Sequence, residues 1–564
     1  MTNKKNDVQN PFIILAVFCI AILTPNATKA QYSHGGEPMF NHAWPKSDIA
    51  NVTLPTIDNQ ELLQQDIDMV KGSHPMRISK AQSVSIDNRT DGTVSVLADG
   101  THVWRIAITS PGAKHMSLDF DRFELPEGAT LYIYDATGEF VLGSYIAEDT
   151  LEGGRFYTQE IPGSECRIEY HEPANVAGQG HLHLCRIYHG YKELFNTDIL
   201  GLGYNDSKDP HGESDGNCHI NVVCEEGDNW RDQIRSVVCI SLSDGTYSYV
   251  CSGALINNTK KDKTPYILSA NHCQEDMTVT RWVFYFNYQT NTCAGRTGVY
   301  NQSVTGATIK AKYAMTYGSD FLLLQMNRSV PNSYKAYFAG WDRSNVSSVT
   351  PGCGIHHPGG AYKKISIPRS ISQGTSGGYT RFWYVYWYSG TSNKGVTEGG
   401  SSGSPLFGNN GLIIGQLQGG TSKCNYSNNL PGGYDLYGRM FNSWTGGGSS
   451  STRLRDWLDP DGTNPTRLEG INYDYSPVDI DVAEEERQML IYPNPSKDRI
   501  NLKIDEIGRA NYRICDLSGR TVCEGTTILT TTAQQINVST IPAGTYRLQL
   551  DCNGHTYSHT IIKL

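Results

Sequence analysis

The chain has 564 residues, which is too long for one hydrophobic core and suggests about three or four domains. Its formal net charge is −10 and it has no long basic run, so we do not expect nucleic acid as a partner. Charged residues make up only 18%, while Gly, Ser, Thr, Asn and Tyr are abundant. This composition favours short strands joined by tight turns and predicts an almost all-β protein.

The N-terminus has the features of an export signal. Lys4 and Lys5 precede the apolar run Pro11–Leu23, which is too short to span a bilayer comfortably. The small residues at Thr28–Ala30 are a suitable cleavage site. We therefore predict a signal peptide over residues 1–30, and we expect no other membrane-crossing segment.

Residues 31–212 are predicted to be a separate β-rich region. Thr101–Ile108 and Thr130–Asp135 alternate as strands do, and no catalytic constellation accompanies them. The region leads into Asn205–Gly216, a polar, turn-rich stretch of the kind that proteases cut. We interpret 31–212 as a propeptide; the alternative is a binding module that the mature protein keeps.

Two motifs are typical of a catalytic base and the residue that orients it. Tyr266–Cys273 is an apolar strand that ends in small residues and then in His272, beside a cysteine. Gly318–Leu324 places Asp320 directly before an apolar run that predicts a buried strand. A carboxylate in that position holds an imidazole in one tautomer and stabilises the imidazolium.

A glycine- and serine-rich loop supplies the predicted nucleophile. In Gly399–Pro405, two glycines precede the serines and let the backbone turn sharply. We predict Ser402 as the nucleophile and the amides of Gly400 and Ser402 as the oxyanion hole. The order His272, Asp320, Ser402 is that of chymotrypsin, and it differs from the order in subtilisins and α/β-hydrolases.

The C-terminal part of the chain divides further. A protease domain is predicted over 213–470, and the amphipathic segment Ser451–Leu458 is expected to form a helix near its end. Residues 471–489 are acidic and contain Glu484–Glu486, as expected of a solvated linker. Residues 490–564 show short alternating strands separated by turns, which predict a small β-sandwich.

Two families resemble this chain. Positions 213–470 are similar to the bacterial lysyl endopeptidases, which are secreted, lysine-specific members of the trypsin superfamily. The matching segments are Cys218–Asp228, Cys251–Thr259, Ser269–Cys273, Gly354–Pro358, Gly415–Gly420, Asp435–Arg439 and Ser443–Gly448. The C-terminal positions resemble the sorting domain of the type IX secretion system, through Tyr492–Pro495 and Pro542–Tyr546. The resemblance implies an all-β chain with a chymotrypsin-like double β-barrel and a C-terminal β-sandwich sorting domain.

Fourteen cysteines in an exported chain indicate disulfides, and their spacing is not that of a zinc site, so we expect no metal. Cys239 and Cys353 lie outside the family pattern and either form a further bridge or stay buried thiols. The lysyl endopeptidase resemblance implies three disulfides, namely Cys218–Cys424, Cys224–Cys293 and Cys251–Cys273.

Specificity is predicted from the resemblance as well. Trypsin binds basic side chains with an aspartate six residues before its nucleophile, and here that residue is Val396. Lysyl endopeptidases use an aspartate of a later strand, which Asp435 matches, and a narrow pocket there suits a compact ammonium. The family commonly has histidine where this chain has Gln418, beside the substrate-binding strand. Because of this difference, the resemblance does not predict the catalytic efficiency or the pH profile of this chain.

The sequence therefore predicts a secreted or surface-attached serine endopeptidase that cleaves after lysine through an acyl-enzyme. Its expected partners are protein or peptide substrates and, through the C-terminal domain, the type IX machinery that carries it across the outer membrane. We expect a monomer without cofactors that activates itself by cleavage after Lys208. The alternatives are a trypsin-like protease with arginine or mixed specificity and a non-catalytic adhesin with a protease fold.

Overall fold

The structure is a computed structural model. It describes residues 36–39, 49–68, 75–150, 152–194, 218–274, 277–295, 298–299, 301–376, 379–388, 394–425, 430–475, 490–492, 494–503, 508–516, 520–529, 533–552 and 555–564. The chain falls into two compact units, Met1–Tyr475 and Ser476–Leu564. The described residues contain no helix that is long and apolar enough to cross a membrane.

The N-terminal region is a two-sheet structure. Its elements are β1 (Asn51–Thr53), α1 (Asn59–Asp68), β2 (Met76–Asp87), β3 (Thr93–Val96), β4 (His102–Thr109), β5 (His115–Glu124), β6 (Thr130–Asp135), β7 (Val141–Tyr145), β8 (Phe156–Tyr157), β9 (Ile161–Pro162), β10 (Glu165–Glu172) and β11 (His181–Gly190). One sheet has the order β1-β4-β10-β6-β7, with β3 on β4; the other contains β2, β11, β5, β8 and β9. Apolar side chains from both sheets, among them Ile133 and Phe120, share one core.

The middle of the chain forms two barrel-like sheets. Its elements are β12 (Ile220–Asn221), α2 (Arg231–Ser236), β13 (Val237–Ser243), β14 (Tyr247–Leu255), β15 (Tyr266–Ala270), β16 (Val283–Tyr285), β17 (Gln289–Thr290), β18 (Gly298–Val299), β19 (Ser303–Thr305), β20 (Ala307–Tyr313), β21 (Phe321–Met326), β22 (Tyr337–Phe338), β23 (Trp341–Asp342), β24 (Ser348–Val349), β25 (Pro351–His356), β26 (Lys364–Ser366), β27 (Pro368–Ser376), β28 (Tyr379–Trp387), β29 (Pro405–Gly408), β30 (Ile413–Gly420), β31 (Lys423–Asn425), β32 (Leu430–Gly432), β33 (Tyr434–Arg439), α3 (Met440–Thr445), α4 (Arg455–Leu458), β34 (Arg467–Leu468) and β35 (Ile471–Asn472).

The first barrel has the strand order β20-β21-β15-β14-β13-β16-β19, and the second has β12-β26-β25-β29-β30-β33-β28-β27-β24. β21 reads Phe-Leu-Leu-Leu-Gln-Met because both of its faces are covered. Leu322 and Leu324 point into the core of the first barrel, whereas Phe321 and Leu323 pack in a second cluster with residues of the second barrel. The two barrels therefore meet along this strand, which begins directly after Asp320.

The helix expected over Ser451–Leu458 is interrupted. The structure has a 3₁₀ turn over Ser450–Thr452 and then α4, with Leu454 and Leu458 buried against the region between the barrels. The apolar spacing thus correctly indicated the buried side chains, although the backbone forms two short turns.

The C-terminal unit is a small two-sheet structure. Its strands are β36 (Leu490–Tyr492), β37 (Arg499–Lys503), β38 (Gly508–Cys515), β39 (Thr521–Leu529), β40 (Gln534–Asn537), β41 (Gly544–Cys552) and β42 (His555–Lys563). Sheets β36-β37-β40 and β39-β38-β41-β42 enclose one core that includes Ile500 and Leu548. The predicted fold class, an all-β chain with a chymotrypsin-like double β-barrel, is confirmed. The division of the chain into five segments stays a prediction.

Candidate active site

His272 lies where a buried strand of the first barrel ends. All five residues of β15 are buried, and the chain then makes a 3₁₀ turn over Asn271–Cys273. A disulfide joins Cys273 to Cys251 on β14. The turn that carries His272 is therefore held by two neighbouring strands and one covalent bond.

Asp320 contacts both the ring and the backbone of His272. The distance from His272 Nδ1 to Asp320 Oδ2 is 2.6 Å, and the His272 amide donates to Asp320 Oδ1 at 3.1 Å. The Asn271 amide also donates to the Asp320 carbonyl at 2.8 Å. Because the Asp320 side chain is only 2% exposed, these contacts fix the imidazole and leave Nε2 as the ring nitrogen for chemistry.

Asp320 has an uncommon backbone conformation. Its φ is +59°, in the left-handed region that aspartate tolerates better than most residues do. Such a conformation costs about 1–3 kcal/mol and persists only where neighbouring structure enforces it. Here Gln416 Nε2 donates to the Ser319 carbonyl at 2.7 Å, which ties the segment before Asp320 to the second barrel.

The Gly399–Pro405 loop makes a sharp turn that requires glycine. Gly400 has φ +89°, and a Cβ there would lie 2.9 Å from the His357 carbonyl oxygen. Gly403 has φ +82°, and a Cβ there would lie 2.2 Å from Ser269 Oγ. These two glycines therefore allow the loop to pack against both barrels.

The two adjacent serines of this loop have different environments. Ser401 is fully buried, with its Oγ 2.9 Å from His356 Nδ1, whereas Ser402 is partly exposed. The Ser252 amide donates to the Ser402 carbonyl at 2.8 Å, so Ser402 is anchored to β14 beside the Cys251–Cys273 bridge. Ser401 is therefore inaccessible from solvent in this conformation, whereas the Ser402 side chain is accessible.

Two backbone amides of the loop have no partner among the described residues. These are the N–H groups of Gly400 and Ser402, while the neighbouring Ser401 and Gly403 amides bond to Glu398 and Leu417 carbonyls. The free N–H groups of a serine and of the glycine two residues before it can together stabilise a developing oxyanion. No hydrogen bond joins Ser402 Oγ to His272 Nε2 within the described part of the chain, and such bonds often tighten only when substrate binds.

A buried hydrogen-bonded pair of side chains lies behind the loop. His219 Nε2 is 3.0 Å from Glu398 Oε2, and both side chains are 1% exposed. The Glu398 amide in turn donates to Ser401 Oγ at 3.2 Å. The sequence prediction did not include His219 or Glu398. The one local signal that could have indicated a role for Glu398 is its position directly before Gly399.

Asp435 is a fully buried carboxyl group on β33. Trp387 Nε1 donates to its Oδ2 at 2.7 Å, Thr397 Oγ1 donates to the same oxygen, and Ser422 Oγ donates to Oδ1 at 2.5 Å. Burial raises the pKa of Asp435, although these three hydrogen bonds act in the opposite direction. None of the described residues forms a salt bridge with this carboxyl group.

The structure describes some of the other residues that the sequence singled out and leaves others outside its described ranges. Val396 is completely buried beside Thr397, and Gln418 is partly exposed on β30. Lys208 and the signal peptide lie outside the described residues. No group of three or more His, Cys, Asp or Glu side chains suited to a metal occurs in the described ranges.

The cysteines of the protease region fall into two sets. Disulfides join Cys224 to Cys293 and Cys251 to Cys273, and Cys218 is also disulfide-bonded, while the Cys424 side chain lies outside the described residues. Cys239 and Cys353 are free, buried thiols. Burial raises the pKa of both thiols, which keeps them protonated and unreactive.

Comparison with known proteins matches two ranges of the chain to family models. Residues 212–438 match the family model "Lysyl endopeptidase, C-terminal domain", and residues 490–564 match "Secretion system C-terminal sorting domain". A lysyl endopeptidase of Pseudomonas aeruginosa is 31% identical over 372 residues, covering 61% of this chain and 76% of that protein. The sorting domain indicates export by a type IX system to the medium or the cell surface.

Two solved structures are also similar to the chain. Human heparin binding protein is 17% identical, with a TM-score of 0.27, covering 42% of this chain and 94% of that one. A Glu endopeptidase is 17% identical, with a TM-score of 0.26, covering 40% of this chain and 93% of that one. At these low scores the likeness carries no argument about the site.

Proposed function

The chain belongs to the lysyl endopeptidase family of secreted, trypsin-like serine proteases, and on this premise we propose that it cleaves peptide bonds after lysine. The catalytic residues of the proposal are Ser402, His272 and Asp320. The alternatives are cleavage after arginine as well as lysine and a non-catalytic adhesin role.

The proposed reaction is acyl transfer in two halves. Ser402 Oγ attacks the carbonyl carbon after lysine while His272 Nε2 takes the hydroxyl proton, and the amides of Gly400 and Ser402 bind the oxyanion. His272 then gives its proton to the departing amine, which leaves the acyl-enzyme. Water then attacks that ester while His272 takes its proton, and His272 returns this proton to Ser402 Oγ as the carboxylic acid product leaves. Asp320 stays ionised throughout and stabilises the imidazolium.

The observation that carries the lysine specificity is the buried Asp435 carboxyl group with three neutral donors and no cation among the described residues. A substrate ammonium would supply the missing positive charge. Oδ2 already accepts two hydrogen bonds, from Trp387 and Thr397, and Oδ1 accepts one from Ser422, so no pair of free acceptor sites with one on each oxygen is left. A point-like ammonium therefore suits this carboxylate better than the bidentate guanidinium fork does.

The pH dependence of substrate binding follows from Asp435. Because burial raises its pKa, the carboxyl group becomes neutral at a higher pH than an exposed aspartate would, and it then attracts no ammonium. We expect KM for a lysine p-nitroanilide to rise as the pH falls through this raised pKa, measured from about pH 4 to pH 8. Asp435→Asn is the control, and its KM should be flat over that range. Parallel KM profiles for the two proteins would contradict this role of Asp435.

Digestion of a denatured protein, with mass spectrometry of every new C-terminus, tests the specificity. We expect the new C-termini to be lysines. Frequent cleavage after arginine would favour the mixed-specificity protease. No cleavage by processed material would favour the adhesin.

The route to the mature enzyme is part of the proposal. The signal peptide over 1–30 directs export, the type IX machinery then carries the chain across the outer membrane, and cleavage after Lys208 separates the 31–212 propeptide. A Ser402→Ala precursor that still matures alone would contradict self-activation. Intact-mass analysis of secreted material distinguishes a propeptide from a retained binding module.

A further inference from the structure

The first half of the nucleophile loop is a tight turn. The Ser401 amide donates to the Glu398 carbonyl at 3.1 Å, so Glu398–Ser401 is a β-turn with Gly399 and Gly400 at its centre. Gly400 has φ +89°, the conformation that a type II turn requires at its third residue. Type I and type II turns differ mainly by a rotation of the central peptide, which here joins Gly399 to Gly400. The form of this turn therefore decides which way the Gly400 N–H points.

The observed form leaves the Gly400 N–H available to an oxyanion. The Gly359 amide donates to the Gly399 carbonyl at 2.5 Å. Because a peptide unit is planar and trans, the Gly400 N–H points the opposite way, and it has no partner among the described residues. Glycines flank this peptide on both sides, so little steric resistance opposes its rotation. The turn therefore depends on other contacts to stay in this form.

Buried side chains hold both ends of the turn. At the first end, His219 Nε2 is 3.0 Å from Glu398 Oε2, and both side chains are 1% exposed. At the other end, Ser401 Oγ is 2.9 Å from His356 Nδ1 and accepts a hydrogen bond from the Glu398 amide at 3.2 Å. His356 Nε2 is 2.8 Å from Ser366 Oγ, and burial lowers the pKa of His356, which keeps its ring neutral. Each end of the turn is thus bonded to an imidazole that is shielded from water.

His219 is anchored independently of the loop. It follows Cys218, which is disulfide-bonded and completely buried. It precedes β12, in which Ile220 pairs with Ile365 of β26. Its ring also lies edge-on to the ring of His356, with the centroids 6.4 Å apart. The His219 ring therefore has a fixed position, to which the Glu398 side chain is bonded.

We propose that His219 is a positioning residue, which acts through Glu398 to keep the Glu398–Ser401 turn in the form that points the Gly400 N–H at the oxyanion. The inference rests on the proposed function, because it takes Ser402 as the nucleophile. Without the His219 N–H, the buried Glu398 carboxyl group loses a hydrogen bond. The unpaired amides of the same loop are donors of the required kind. A turn that rotates to offer one of them to Glu398 loses a donor from the oxyanion hole.

Two variants of similar side-chain size test this inference, each assayed as the secreted, processed enzyme and verified by intact mass. His219→Leu fills the site without a donor, whereas His219→Gln keeps an N–H group near the same position. For His219→Leu we expect kcat for a lysine p-nitroanilide to fall about 10- to 100-fold, less than deletion of an oxyanion donor costs, and KM to stay within about twofold. His219→Gln should keep kcat within about threefold of the wild type, because the hydrogen bond to Glu398 is retained.

Two inhibitors separate the oxyanion hole from the lysine pocket. Ser402 Oγ adds to the carbonyl of a peptidyl lysine aldehyde, and the resulting hemiacetal oxygen lies in the hole. Butylammonium fills the Asp435 pocket alone. His219→Leu should raise Ki for the aldehyde by about the same factor as kcat falls and leave Ki for butylammonium unchanged. General damage to the fold would weaken the binding of both inhibitors.

Asn258→Ala is the control for the loss of a buried polar side chain elsewhere in the domain. Asn258 is 2% exposed and bonds to Asp262 and Lys260, so its replacement should lower the melting temperature without changing kcat. If His219→Leu does not fold, His219→Ala takes its place. Wild-type kcat in the donor-free variant, an equally large loss in His219→Gln, or weaker binding of both inhibitors would overturn the inference. If the wild-type processed enzyme hydrolyses no lysine substrate, the proposed function itself fails.

Discussion

Replacing Ser402 with alanine is expected to lower kcat for lysine substrates by about 10⁶-fold, as removal of a serine nucleophile does in other triads. The reason is that Ser402 is the partly exposed serine of the loop, and that its own amide and the Gly400 amide have no partner among the described residues. Steady-state hydrolysis of a lysine p-nitroanilide by the processed enzyme measures the loss. Any residual activity of this variant above the uncatalysed rate would come from the oxyanion hole and substrate binding.

A matched serine separates this effect from the general cost of substitution. Ser347 is an exposed serine of the same domain, and Ser347→Ala should keep the wild-type rate. Both variants should show the wild-type melting temperature, because neither removes a buried contact. A Ser402→Ala enzyme that retains full turnover would show that the assigned nucleophile is wrong.

The parts of the fold that the sequence predicted are those with strong local patterns. β15 and β21 are short apolar runs next to polar turns, so the sequence alone was enough to predict that both strands are buried. The addition of β2 to the first barrel could not be predicted in this way. Its residues, Met-Arg-Ile-Ser-Lys-Ala-Gln-Ser-Val-Ser-Ile-Asp, alternate as in any half-exposed strand, and nothing in such a pattern identifies the partner strand.

The candidate site also contains residues that the sequence predicted and residues that it did not. His272, Asp320 and Ser402 each lie in a recognisable local context, and the structure brings His272 and Asp320 to hydrogen-bonding distance. The pair of His219 and Glu398 joins residues 179 positions apart. A lone histidine beside a cysteine gives no sign that a distant chain segment will bury it with a carboxylate, because tertiary packing alone creates that contact.

Replacing Asp435 with asparagine is expected to lower kcat/KM for lysine substrates by about 150- to 5,000-fold, which corresponds to the roughly 3–5 kcal/mol lost when one partner of a buried ion pair is removed. The substrate ammonium would enter a site whose three donors, Trp387, Thr397 and Ser422, offer it no negative charge. The amide keeps the size of the side chain and an oxygen acceptor. The measurement is kcat/KM for matched lysine and arginine anilides.

The fold should tolerate Asp435→Asn, which distinguishes lost recognition from unfolding. Because burial raises the pKa of Asp435, the folded state favours its neutral form, and this contribution to stability is present at low pH and lost as pH rises through the raised pKa. The variant is always neutral, so at pH 7 its melting temperature should equal or exceed that of the wild type. Asp342→Asn, the same change at a buried aspartate paired with Arg467, is the control and should keep full activity on lysine substrates. If Asp435→Asn cleaves lysine substrates at the wild-type rate, the basic side chain is bound elsewhere.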